Sequence, residues 1–282
     1  RIHPSPFRLP NHYPTKVTTM LKQRILTALI LLPLMLAMLF CAGDGLWASF
    51  TALIALLALW EYSRLAGLNK AQQTPYLVGT AFFMLTAYAG GWQLPSFVWA
   101  LVFAFWLLVM PAWLNKKWKV QANARGMAIG WLLMLPFWFA LVALRPTPHD
   151  AGQLLAVMVL VWIADSAAYF VGRAFGKHKL FERISPKKTI EGFVGGLIGA
   201  MLIATAISYY SGRPLWQWLM LAVILVVTGA VGDLVESSFK RTAKVKDSGT
   251  ILPGHGGLLD RLDSLIFASP FAYLTLLIFD LF

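Results

Sequence analysis

The chain reads as an all-α, polytopic integral membrane protein of about nine transmembrane helices, its N-terminus cytoplasmic and its C-terminus outside. Three observations carry this. The 282 residues are 59% hydrophobic and only 13% charged, against ~25% charged in soluble domains, and mean hydropathy is +0.67. Several apolar runs approach or exceed the ~18–20 residues that cross a bilayer, and they are continuous rather than alternating, which argues against a β-barrel. The cations also gather on one side of an alternating topology.

In order along the chain, residues 1–19 contain Pro4, Pro6, Pro10 and Pro14 and no apolar run, and read as a disordered extension outside the fold. Met20 followed by Leu-Lys-Gln-Arg reads as a natural start. The nine spans lie at about 24–42, 46–65, 75–92, 95–114, 124–144, 152–173, 189–210, 215–236 and 263–281. The first could pass for a signal peptide, but the spans that follow favour a retained helix. Cys41, the single cysteine, allows neither an internal disulfide nor a cysteine metal site. Residues 20–150 form an N-terminal transmembrane scaffold of about five helices. Residues 151–282 form a C-terminal transmembrane catalytic region of about four helices with two cytoplasmic loops.

Placing the N-terminus inside puts all of the 24 cations except Arg145 and Arg213 on the inner side. This positive-inside asymmetry supports the span count and the orientation together. The formal charge of +12 would suggest nucleic acid in a soluble protein. Here it reflects inner loops and the anionic lipid or nucleotide they attract, so no nucleic-acid partner is expected. Glu61, in W-E-Y-S-R, is the exceptional charge of the N-terminal half, and helical spacing allows it to pair with Arg64. No internal repeat is visible, which weighs against a transporter built from duplicated halves.

Three constellations carry chemistry. In W-I-A-D-S-A-A-Y-F-V-G-R-A-F-G at 162–176, Asp165 sits inside a span, where a carboxylate is costly unless paired, hydrated or metal-bound. In I-S-P-K-K-T at 184–189, Ser185 and Pro186 look like a helix start. Lys187, Lys188 and Thr189 crowd that start, and free N–H groups there favour a phosphate. The third runs from G-D-L-V-E-S-S-F-K-R to G-H-G-G-L-L-D-R-L-D-S. Asp233, Glu236, Ser237 and Lys240 form one polar stripe, and Asp260, Asp263 and Ser264 repeat its spacing. Two helix ends with two carboxylates each can share a hard cation such as Mg²⁺, whose preferred ligands are oxygens. Salt bridging among Asp247, Asp260, Asp263 and the nearby lysines is the plainer alternative. His255 can contact phosphate, act as an acid, or cap the loop, and paired histidine spacing for zinc is absent.

The run S-x-F-K-R-x₄-K-D-S-G-x-I-L-P-G-H-G-G-L-x-D-R-L-D at 237–263, with I-A-D-S-A-A-Y-F-V-G-R and S-P-K-K-T-x-E-G, resembles the bacterial phosphatidate cytidylyltransferase (CDP-diacylglycerol synthase) family over about residues 20–282. The resemblance implies a nucleotidyltransferase of phospholipid biosynthesis in the cell inner membrane, with its active site facing the cytoplasm. CTP and phosphatidic acid would give CDP-diacylglycerol and pyrophosphate, with Mg²⁺ and a second cation such as K⁺. It implies Asp233 and Asp260 as the leading metal ligands, with Asp263 and Asp165 next, and Lys240 beside them in the catalytic set. Ser185, Lys187, Lys188 and Thr189 would hold the triphosphate, and Lys240, Arg241 and Lys246 would hold CTP or lipid phosphate. A homodimer is implied by similarity alone. Two other classes stay open at this point: a CTP-dependent kinase of a lipid alcohol, and an ion or proton transporter using Asp165, Asp233 and Glu236.

Overall fold

The computed structural model describes residues 15–116 and 119–279, and most of them are helical. The helices are α1 (Thr15–Cys41), α2 (Asp44–Leu65), α3 (Lys70–Ala89), α4 (Ser96–Ala104), α5 (Met110–Lys116), α6 (Ala124–Ala143), α7 (Ala151–Phe175), α8 (Ile190–Ser211), α9 (Leu215–Thr242) and α10 (Leu259–Ile278). A π-helical turn at Phe105–Val109 joins α4 to α5 as one rod, so among the described residues nine rods stand at the nine predicted spans. Among the described residues seven segments are long and apolar enough to cross a bilayer unaided. The apolar stretch of α1, Ile25–Cys41, is shorter. Helix α3 opens on Lys70, Gln72 and Gln73, with Asn69 and Gln72 capping each other's backbone N–H.

Most of the predicted N-terminal extension lies outside the described residues. Its last part, 15–19, belongs to α1. After Pro14 no proline or glycine interrupts the chain until Pro33, so nothing stops the helix from running back beyond Met20.

Helices α7 and α8 pack closely, as do α9 and α10, and α10 also lies against α6 and α2. The two halves of the chain therefore share one core. Small residues set these distances. A Cβ on Gly196 would stand 2.8 Å from the Ala164 carbonyl oxygen, and one on Gly232 would stand 2.7 Å from the Phe267 ring and 2.8 Å from the Asp263 carbonyl oxygen. Across the α4–α5 rod, Trp106 meets Phe267 with ring centroids 4.0 Å apart, and Phe103 meets Phe271 at 4.1 Å.

Residues 185–189 are not the helix start that Ser185-Pro186 suggests. They form β2 (Ser185–Thr189), antiparallel to β1 (Lys179–Phe181). The helix starts only at Ile190, because Thr189 is its N-cap and accepts the Gly192 N–H at 3.1 Å. Glu191 ties the hairpin down, accepting the Lys177 and His178 N–H groups and pairing with His178 Nδ1 at 2.6 Å.

Alternation along the bundle brings the C-terminal ends of α2, α7 and α9 together with the N-terminal ends of α8 and α10. Arg145 and Arg213, the two exceptions to the charge pattern, fall at the opposite end, in the connections after α6 and α8. Arg145 is fully buried there. Its Nε donates to the Leu39 carbonyl at 3.0 Å, its Nη2 to the Ala42 carbonyl, and its guanidinium lies over Trp47 and 3.7 Å from Asp44. It satisfies carbonyls at the end of α1 that helix geometry leaves open. Arg145→Met is expected to destabilise the protein by about 3 kcal/mol while leaving substrate KM values unchanged. Thermal unfolding in detergent, alongside steady-state kinetics, checks both.

Candidate active site

The converging helix ends enclose a cavity of about 790 Å³, lined by α7, α8, α9, α10 and β2. Asp165, Lys187, Lys188, Thr189, Asp233, Asp260 and Asp263 all line it. These include both the proposed carboxylates and two of the proposed phosphate lysines. Its deeper wall is apolar, with Val161, Leu225 and Val226. One space thus offers charged groups at the mouth and hydrocarbon-compatible surface below.

The carboxylates arrive by helical spacing. Asp233 and Glu236 are one turn apart on α9, and Asp260 and Asp263 are one turn apart at the start of α10. Asp233, Glu236 and Asp263 each offer an oxygen within 4.8 Å of the others. Ser237 Oγ donates to Asp233 Oδ1 at 3.3 Å, and the Ser264 N–H donates to Asp263 Oδ1 at 2.8 Å. Ser264 Oγ also reaches Asp165 Oδ1 at 3.3 Å, linking α7 to α10.

Asp260 is held differently. Its Oδ1 meets Lys240 Nζ at 2.7 Å, and its Oδ2 accepts the N–H groups of Ser248 and Gly257, each at 2.9 Å. Lys240 also pairs with Glu236 Oε2 at 2.5 Å, so one ammonium joins α9 to α10. On the other wall Lys188 forms an ion pair with Asp233. Of the plainer alternative, salt bridges from Asp247, Asp260 and Asp263 to nearby lysines, the described residues show the one at Asp260, and further lysine pairs stand at Asp233 and Glu236. Asp263 forms no ion pair among the described residues.

The remaining predicted residues lie apart from the cavity wall. Ser185 is half-buried in β2, Arg241 is exposed in the last turn of α9, and Lys246 is exposed in the loop beyond it. Lys240 reaches the site only through Glu236 and Asp260. The Thr189 hydroxyl lines the cavity but is already used as a helix cap. His255 belongs to the loop itself: its carbonyl accepts Arg261 Nε and Nη2 at 3.2 and 2.8 Å, and its N–H bonds the Leu252 carbonyl. Arg173, Lys179 and Arg261 line the cavity and were given no role from sequence. Their signal was membership of a motif for Arg173 and Arg261, and a place a few residues after one for Lys179. Glu236 stood in the same stripe as Asp233, so its spacing was the signal for its place in the carboxylate group.

A bundle of membrane-length helices whose ends bring lysines and carboxylates around a half-apolar cavity has the make-up of a membrane-embedded site, with cationic groups that suit an anionic ligand and carboxylate oxygens that suit a hard cation. The chain belongs to the cytidylyltransferase family, whose sequence profile matches residues 22–279. It is similar to the phosphatidate cytidylyltransferase of Pseudomonas aeruginosa, 41% identical over 263 residues, which are 89% of this chain and 95% of the relative. The Haemophilus influenzae protein of that name is 35% identical over 283 residues, 89% of this chain and 97% of its own length. The Staphylococcus aureus protein is 37% identical over 259 residues, 89% and 96%.

Proposed function

We propose that the chain is a phosphatidate cytidylyltransferase that makes CDP-diacylglycerol and pyrophosphate from CTP and phosphatidic acid. The observation that carries this beyond family membership is the cavity: lysines and carboxylates share one space with an apolar wall that suits a lipid substrate. A phosphate oxygen of phosphatidate forms a bond to the α-phosphorus of CTP, and the bond to the bridging oxygen of the β-phosphate breaks, releasing pyrophosphate. A phosphate monoester is already largely ionised at neutral pH, so no strong base is needed. Lys187 and Lys188 hold triphosphate oxygens and offset charge on the leaving group. Lys240 fixes Glu236 and Asp260 and so aligns α9 with α10.

The carboxylates fit Mg²⁺. Asp233 and Asp263, with Glu236 beside them, are hard oxygen donors close enough to share one cation, and Asp260 borders them. When bound, the ion would supply charge neutralisation at the phosphates. A second cation such as K⁺ rests on family resemblance alone. The positive-inside pattern supports a site on the cytoplasmic face of the cell membrane, where CTP is available. Residues 151–282 form the catalytic region in this proposal, residues 20–150 the scaffold, and a second copy of the chain is the expected partner.

The deciding assay uses purified protein, phosphatidate, Mg²⁺ and CTP labelled at the α-phosphate. Label in lipid together with free pyrophosphate is expected. Label confined to CDP would instead indicate a lipid kinase, and no transfer would exclude both. Lys188→Met is expected to raise the KM for CTP at least about 10-fold, since it removes a charge-assisted phosphate contact. Initial rates across a CTP titration read this directly, and an unchanged KM would remove Lys188 from the triphosphate site.

A further inference from the structure

Glu61 lies on α2, in the half of the chain that carries none of the residues assigned above, and it is 0% exposed. It does not pair with Arg64, as its spacing allows. The Arg64 guanidinium sits over the Trp60 ring, 4.9 Å from its centroid, and Glu61 turns inward. Its Oε2 accepts Ser248 Oγ at 3.0 Å and the Leu259 N–H at 2.7 Å. The backbone of the polar loop closes around the carboxylate. A Cβ on Gly257 would stand 2.7 Å from Oε2, and one on Gly249 would overlap Oε1. Among the described residues no cation pairs with Glu61, and its partners are an O–H and an N–H donor.

The place of these contacts gives them meaning. Leu259 is the first residue of α10, and Leu258, at the N-cap position, provides no capping side chain. Free N–H groups at a helix start need acceptors, and a negative charge is favourable there. Here Asp260 takes the N–H groups of Gly257 and Ser248, and Glu61 takes that of Leu259 from a distant helix. The turn so fixed carries Asp260 and Asp263. Thr27 Oγ1 on α1 adds a second hold from the first half, donating to the Pro253 carbonyl at 3.1 Å.

We propose that Glu61 is a positioning residue for cytidylyl transfer: it anchors the K-D-S-G segment and the first turn of α10 so that Asp260 and Asp263 face Asp233 and Lys188 across the cavity. The activity arm of its test rests on the proposed function; the exchange arm does not. The full chain in detergent is compared as wild type, Glu61→Gln, Glu61→Ala and Ser248→Ala. The readouts are kcat, the KM for CTP and for phosphatidate, the thermal midpoint, and hydrogen exchange over residues 247–263. Glu61→Ala is expected to lower kcat about 100-fold, as a reacting group displaced by ~1 Å does. The KM for phosphatidate should stay within about 3-fold, because the lipid wall of the cavity is untouched. Exchange protection should fall over 247–263 and not over α7 and α8. Glu61→Gln keeps an acceptor in place and should hold kcat within about 5-fold, the loss of roughly one hydrogen bond. Ser248→Ala should lower kcat by a similar small factor at an unchanged midpoint.

Equal losses in Glu61→Gln and Glu61→Ala, a wild-type-like Glu61→Ala, or protection lost over the whole bundle would each overturn the proposal. Should Glu61→Ala not fold, Ser248→Ala decides, and an unaltered kcat with unaltered exchange counts against Glu61. If the wild type transfers no label, the proposed function fails, and local exchange alone judges Glu61.

Discussion

Asp233→Asn is expected to lower cytidylyl transfer by at least about 1,000-fold, the scale of losing a few kcal/mol of electrostatic stabilisation in a dry site. The thermal midpoint should hardly move. The substitution keeps the volume of the side chain and an acceptor for Ser237 Oγ, and the position is only half-buried. What disappears is the negative charge that pairs with Lys188 and stands in the carboxylate group with Glu236 and Asp263. Transfer of label from the α-phosphate of CTP into lipid measures the first effect, and detergent-phase unfolding measures the second. Turnover within about 10-fold of wild type would refute a metal-holding role for Asp233, because Asn is a poor substitute for an anionic ligand.

Asp260→Asn should lose activity and stability together. Both oxygens of Asp260 are engaged, one by Lys240 and the other by two backbone N–H groups. An amide has a single acceptor oxygen, so its NH₂ must face either the ammonium or the two N–H donors. We expect turnover to fall at least about 100-fold and stability by about 2–3 kcal/mol, the cost of leaving partly buried donors unpaired. The contrast with Asp233→Asn is diagnostic. A lost turnover with an unmoved midpoint would mean that Asp260 acts by ligand contact alone, and a normal turnover would remove it from the site.

The residues legible in the sequence are those whose relations are local. Asp233 and Glu236, and Asp260 and Asp263, announce a shared face because three residues make about one helical turn. Asp165 stood out because a carboxylate inside a span needs a reason, and the lysines beside Thr189 stood out by density. Relations that depend on distant closure were hidden. Ser185–Thr189 passes for a helix start until Lys179–Phe181 folds back as its strand partner. Glu61 passes for an i,i+3 surface pair because its true partners are 187 and 198 residues away. Arg241, Lys246 and His255 belong to the same motif, but its sequence does not say which side of the last turn of α9 or of the following loop faces the cavity. The spans were the easiest to read, since hydrocarbon length is a one-dimensional criterion.

The contact between Lys188 and Asp233 has a thermodynamic consequence. These opposite charges satisfy each other at the cavity wall. An incoming polyanion that takes Lys188 leaves Asp233 without its partner and readier to accept a cation, and a cation on Asp233 in turn frees Lys188. On the proposed function, each ligand would thus raise affinity for the other, and linkage requires the two enhancements to be equal. Nucleotide and cation would then be held together or released together, which would discourage the site from retaining either one alone.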